Sequence, residues 1–214
     1  MSPNRRSFVD PLLEWYENRG RHRLPWREPG RSAFEILIAE ILLQRTTASA
    51  VAGAYAPFVA RHPTPEAVVA ARSDELEERI APLGLSKRAA FLERCSGRLL
   101  ARHSGTVPRR RSELLALHGV GEYTARSVQI HAFGDGIAAV DTNVRRLVAR
   151  FVGLEPDSSE VAARADGLVP PRRSSDFQHA MLDFAAAVCT PRDPDCDGCP
   201  LAGGCDSAET AADG

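Results

Sequence analysis

One lysine, Lys87, stands among the 27 lysine and arginine residues of this 214-residue chain; every other one is an arginine. Chemistry that needs a nucleophilic amine therefore has one side chain and the N-terminus to draw on. Long apolar runs are missing too: none approaches the roughly 20 residues that a membrane-spanning helix needs. The opening stretch MSPNRRSFVDPLLEWYENRG carries Asp10, Glu14 and Glu17 where a signal peptide would hold an unbroken apolar segment. The expectation is a cytoplasmic protein with no membrane partner. A net charge of -1 gives no global attraction to nucleic acid. Hydrophobic residues at 43% and charged residues at 26% exclude a disordered chain. Repeats and low-complexity segments are lacking, and the length suits one large domain or two small interleaved ones.

Alternating strand patterns are nearly absent, whereas helical signals recur along the whole chain. AFEILIAEILLQR and ASAVAGAYAPFVARH are too long for strands, and Thr46 and Thr47 between them supply an N-cap. TPEAVVAA sets a threonine before a proline at the first helical position. SDELEERIAPLG opens on a serine cap and stops at Pro82 and Gly84; SKRAAFLERCSGRLLARHSG ends on Gly105. About ten helices with short connections predict an all-α fold. Charge is unevenly placed: residues 101–150 hold eight arginines, at 102, 109, 110, 111, 126, 145, 146 and 150, against four acids, Glu113, Glu122, Asp135 and Asp141.

Two regions carry chemistry. In CTPRDPDCDGCPLAGGC, Cys189, Cys196, Cys199 and Cys205 are separated by six, two and five residues. Disulfides do not suit a cytoplasmic chain, so the thiolates read as metal ligands. Structural zinc prefers two Cys-x2-4-Cys knuckles; with one knuckle, a compact four-thiolate loop suits a [4Fe-4S] cluster better than zinc. Cys95 stands alone on a helical face and reads as core.

The second region is LHGVGEYTA, Leu117–Ala125. Gly119 and Gly121 around Val120 allow a tight hairpin with outward N–H groups, and the next helix adds its positive N-terminal dipole, so a phosphate oxygen can dock there. A Gly-x-Gly between helices equally describes an ordinary turn. Arg126, with Arg145 and Arg146 further on, adds an electrostatic reason to meet a nucleic-acid backbone. Asp141, in AAVDTNVRRL, can cap the helix that starts at Thr142.

LPW at Leu24–Trp26, EILLQRTTA, LHGVGEYTA, VDTNVRRLVAR and the 6-2-5 cysteine spacing occur in one order, and together they resemble the helix-hairpin-helix (HhH-GPD) base-excision DNA glycosylases over nearly the whole chain. His118 departs from the proline usual at its hairpin position. The resemblance implies a two-lobed all-α fold, with a six-helix lobe at 26–135 and an iron-sulfur cluster lobe made of 1–25 plus 136–214, and DNA bound across a cleft. It implies a [4Fe-4S] cofactor on the four cysteines, double-stranded mismatched DNA as partner, a monomer, and association with the nucleoid when DNA is bound. The target nucleotide would be flipped out of the duplex. Asp141 would be the catalytic aspartate, placed to stabilise positive charge on the sugar and orient water.

Bifunctional members carry a lysine where this chain has Tyr123, so the expected enzyme releases the base without cutting the strand. His118, Gly119, Val120, Gly121 and Arg126 would contact the DNA backbone. Gln44 and Arg45 resemble residues that fill the gap left by the flipped base and contact the orphan base, and an arginine there suits guanine. Glu40, set among apolar neighbours, matches a glutamate with which adenine glycosylases protonate the leaving purine; it would face the cleft with a raised pKa. RTTA, APLGLSKRA and the tyrosine are instead closest to thymine/guanine mismatch glycosylases. The chain also stops nine residues after Cys205, which leaves no room for the C-terminal domain usual in adenine glycosylases. Thymine or uracil opposite guanine is the expected substrate, adenine opposite 8-oxoguanine or guanine the alternative, and a non-catalytic damage-binding protein of the same fold the second alternative.

Overall fold

The computed structural model describes residues 5–84 and 87–208, and places two compact units on the chain: 22–133, and 1–21 with 134–214. Leu85 and Ser86 of the APLGLSKRA segment lie outside the described residues, as do residues 209–214 of the last nine, which lean acidic. Among the described residues there is no strand and no helix long and apolar enough to cross a membrane.

In the 22–133 unit, helix α2 (Ala33–Leu43) begins at a capping box: Ser32 Oγ accepts from the Glu35 N–H while the Glu35 side chain accepts from the Ser32 N–H. Such a pair satisfies two otherwise orphaned donors. Arg31 bonds Glu35 from outside and helps hold its carboxyl below the usual range, although burial opposes it. Helix α2 is apolar almost all round, burying Phe34 and every residue from Ile36 to Leu42, so it forms the centre of this unit's core. Helices α3 (Ala48–Arg61) and α4 (Pro65–Ala70) start at Thr47 and Thr64, whose hydroxyls accept from Ala50 and Ala67 N–H, as their sequences predict.

The serine cap expected for α5 (Ser73–Ile80) is not found. Arg72 holds the cap position, Ser73 is already helical, and its hydroxyl is directed to Glu93 instead. Helix α6 (Lys87–His103) packs on α4 and α5 through Ala89, Leu92, Cys95 and Leu99, all buried. The short α7 (Arg111–Leu115) and α8 (Glu122–Phe133) flank the hairpin, and α8 lies against α2.

The other unit joins both ends of the chain. Helix α1 (Arg5–Arg19) packs against α11 (Ser174–Ala187), and α9 (Thr142–Val152) packs on α10 (Glu160–Leu168) and α11. Phe8 lies at the centre of this core, edge-on to Phe151 at 4.6 Å and to Phe177 at 6.0 Å. Such edge contacts add to the burial of the rings.

Candidate active site and cysteine loop

The hairpin is anchored from below and open above. Leu117 and Val120 are buried, the Val120 N–H donates to the Leu117 carbonyl at 3.3 Å, and Gly121 is exposed at the start of α8. Gly119 takes φ +79°, and a Cβ there would press on the Phe91 ring at 3.3 Å, so conformation and space both call for glycine. His118 stacks edge-on against the same ring at 5.0 Å; its Nε2 is buried with no hydrogen-bonding partner among the described residues. Arg111 forks onto the Glu122 carboxylate, which this contact holds below the usual range. Glu122 therefore adds little net negative charge beside the N–H groups that open α8. Tyr123 and Arg126 are half-buried on the first turns of that helix.

Helix α2 ends in a tight turn. The Thr46 N–H reaches the Leu43 carbonyl at 3.4 Å; Gln44 has φ -57° and ψ 121°, and Arg45 has φ +55°. This is the type II pattern, in which the third position normally holds glycine or asparagine. An arginine in the left-handed region costs about 1 kcal/mol or more, and Arg45 is exposed, so no burial of its side chain offsets that cost. Residues held this way cluster at functional sites.

Gln44 is turned back rather than outward: its Nε2 donates to the Gly119 carbonyl at 2.8 Å. Its own carbonyl accepts from Arg88, which also donates to the Leu83 carbonyl at 3.4 Å. Arg88 is 2% exposed. The sequence reading missed it, although a charged residue in register with Leu92, Cys95 and Leu99 on the buried face of α6 was a readable signal. Glu40 lies on α2 and is 8% exposed, buried as its apolar neighbours predict.

In the other unit Asp141 caps α9: Oδ1 accepts from the Val144 N–H at 2.7 Å and Oδ2 from the Asn143 amide at 3.3 Å. The segment leading to it is fixed by two further residues that sequence reasoning missed. Gln178, 1% exposed, bonds both the N–H and the carbonyl of Ala139, at 2.9 and 2.8 Å, and Asp166 accepts from the Ala138 N–H at 2.8 Å. The polar Gln178 beside Phe177 and Met181 on a buried helix was the one available clue.

Arg145 and Arg146, half-buried on α9, are engaged with the chain itself. Arg145 donates to the Pro156 and Ser158 carbonyls, and Arg146 to the carbonyls of Cys189 and Ala185 and to Asn143. Arg150 bonds the carbonyls of Thr190 and Pro191 and reaches Cys189 Sγ at 3.5 Å.

Cys189, Cys196, Cys199 and Cys205 line one cavity of about 230 Å³, closed by Leu147, Phe151, Phe184, Val188 and Leu201. None of the four is in a disulfide, and burial raises the Cys199 and Cys205 thiols. Among the described residues no group of three or more Cys, His, Asp or Glu is gathered closely enough for a single metal ion. One zinc would need its sulfurs roughly 3.8 Å apart, given Zn–S bonds of about 2.3 Å. Cys95, in the other unit, is 2% exposed and belongs to the core.

Residues 38–171 match a family profile described as HhH-GPD superfamily base excision DNA repair protein. The chain is similar to an adenine DNA glycosylase of Mycobacterium tuberculosis, 39% identical over 89% of this chain and 64% of that one, so it spans just under two thirds of that relative. A thymine/uracil-DNA glycosylase of Pyrobaculum aerophilum is 35% identical over 91% of this chain and 88% of its own. A solved thermostable thymine-DNA glycosylase superposes with a TM-score of 0.89 at 35% identity, covering 96% of this chain and 97% of its own.

Proposed function

Given that the chain belongs to the HhH-GPD superfamily of base excision DNA repair proteins, we propose that it is a monofunctional DNA glycosylase that hydrolyses the N-glycosidic bond of thymine or uracil mispaired with guanine. The observation that carries the reading is Tyr123 in the first turn of α8, after the hairpin, in a chain whose one lysine, Lys87, belongs to a different helix. Without an amine there, a Schiff base with the sugar has no donor. Hydrolysis remains: the bond from C1′ to the base breaks with its electron pair leaving on the base, water adds its oxygen to C1′, and the proton passes to the departing base.

Asp141 acts in that step through its carboxylate. Its two observed hydrogen bonds come from the Val144 N–H and the Asn143 amide, which leaves lone pairs to face C1′ and water. The negative charge stabilises the oxocarbenium-like sugar as it forms. The hairpin from His118 to Gly121, with Arg126, binds a phosphate of the duplex. Glu40 hydrogen-bonds the base edge, and the partner is mismatched double-stranded DNA bound by one copy of the chain. Cys189, Cys196, Cys199 and Cys205 would hold the [4Fe-4S] cluster, which when bound cross-links the loop fourfold; hydrolysis requires no electron from it. In this reading the six-helix lobe spans 26–135 and the cluster lobe 1–25 plus 136–214.

A second reading, removal of adenine opposite 8-oxoguanine or guanine, is favoured by Glu40 and by the mycobacterial relative. A panel of duplexes carrying T/G, U/G, A/G and A/8-oxoguanine, with the released base identified, separates the two. Release from T/G and U/G supports the first reading, release of adenine alone the second. Mispairs bound with no base released would make the protein a non-catalytic damage binder.

A further inference from the structure

Residues 109–111 run along α8 in the opposite direction and are tied to it at both ends. Arg111 forks onto Glu122 at 2.8 and 3.1 Å, and the Gln129 amide donates to the Arg109 carbonyl at 3.1 Å. Glu122, Arg126 and Gln129 stand at i, i+4 and i+7, on one face of that helix. Arg110, extended at φ -70° and ψ 129°, therefore passes Arg126 between the two ties. Its side chain is exposed and makes no hydrogen bond or ion pair among the described residues, Glu113 three positions on included. Glu122, whose carboxyl also senses Arg126, is engaged by Arg111 through both oxygens. Two arginines are thus carried on neighbouring stretches of backbone while the carboxylate beside them is already taken. Like charges held this way repel in the free chain, and an anion that meets both removes the repulsion.

On the premise of the DNA glycosylase reading above, we infer that Arg110 and Arg126 form a second phosphate site, which takes a phosphate of the same DNA strand next to the one held by the hairpin. The hairpin meets its phosphate with backbone N–H groups. Arg126, one turn into α8, stands between that phosphate and its neighbour, and the planar fork of Arg110 completes the second site. Gln129 is a positioning residue here, because it fixes the carbonyl of Arg109 and with it the backbone that carries Arg110.

The test is binding rather than turnover, so it is independent of which base is excised. Duplexes with a tetrahydrofuran abasic analogue opposite guanine carry one methylphosphonate, which removes the charge of a single phosphate, moved position by position along each strand. With the unaltered chain, two neighbouring positions on one strand are expected to weaken binding, each by about tenfold. Arg110→Ala weakens binding of the all-phosphate duplex by about tenfold and lowers the slope of log affinity against log salt by about 1. At one of the two positions the methylphosphonate then adds nothing further, while the other keeps its full effect. Arg110→Lys, which keeps the charge without the fork, regains the slope and part of the affinity. Gln129→Leu reproduces the Arg110→Ala pattern in weaker form at the same position. Thermal unfolding of each variant separates a lost contact from a lost fold.

Full additivity of Arg110→Ala with every methylphosphonate would overturn the inference, since no one phosphate would then belong to Arg110. So would an unchanged salt slope, or coupling to a phosphate on the other strand. An unaltered chain with no preference for abasic over paired duplex would instead overturn the underlying glycosylase reading.

Discussion

The arginines of the two units do different work. In the unit built from 1–21 and 134–214, the α9 arginines at 145, 146 and 150 all turn onto main-chain carbonyls, three of them on the cysteine loop. In the 22–133 unit Arg88 also serves carbonyls, but Arg45 is exposed on a strained turn, and Arg111 forks onto an exposed carboxylate beside the hairpin. The arginine surplus of 101–150 is therefore not one patch. Of its eight arginines, 145, 146 and 150 are internal staples while Arg111 pairs with an exposed carboxylate, and a charge count is blind to the division.

The largest effect belongs to the polar group that serves both purposes at once. Asp141→Asn should lower excision by about 10³-fold, because a neutral amide cannot stabilise the sugar cation. Asparagine caps helices as well as aspartate does, so unfolding should barely move, whereas Asp141→Ala should also destabilise by about 1 kcal/mol. Single-turnover kinetics with denaturant unfolding would check both; loss of DNA binding in Asp141→Asn would reduce Asp141 to a structural cap.

The inward arginines come next. Arg146→Met orphans two carbonyls and should cost about 3 kcal/mol in unfolding free energy, with no change in the slope of log affinity against log salt. Arg126→Ala should reduce that slope by about 1. If Arg146→Met lowered the slope as well, the division between staple and ligand would fail. Gln178→Leu should cost about 2 kcal/mol by exposing both polar groups of Ala139 to an apolar neighbour, read again by denaturant unfolding.

The smallest effect is at the surface. The Glu122 carboxyl is lowered by Arg111, so its stabilising contribution is complete above the unfolded value of about 4.3 and is lost as pH falls through the lower folded value. Arg111→Ala should shift the unfolding midpoint slightly at pH 7, and not at all in acid or in about 1 M salt.

What the sequence discloses here is what lies close along the chain. The caps at Thr47, Thr64 and Asp141, the hairpin with its two glycines and the cysteine spacing all act within a few residues, and each has a chemical signature. The Ser73 cap failed because Glu93, twenty residues on, competes for the hydroxyl. Arg88 reaches across 44 residues, Gln178 across 39 and Arg146 across 43, and no local pattern names the carbonyls they meet. Gln44 and Arg45 look alike as neighbouring polar residues at a helix end; only the left-handed backbone at Arg45 separates them.

The most direct test of the account is the fate of the strand. A labelled T/G duplex is incubated with the unaltered chain and run with and without alkali. The strand is expected to stay intact before alkali and to break at the mispaired thymine after it, with no covalent adduct trapped by borohydride. A break before alkali, or a trapped adduct, would show an amine attacking the sugar and contradict the hydrolytic mechanism read from Tyr123.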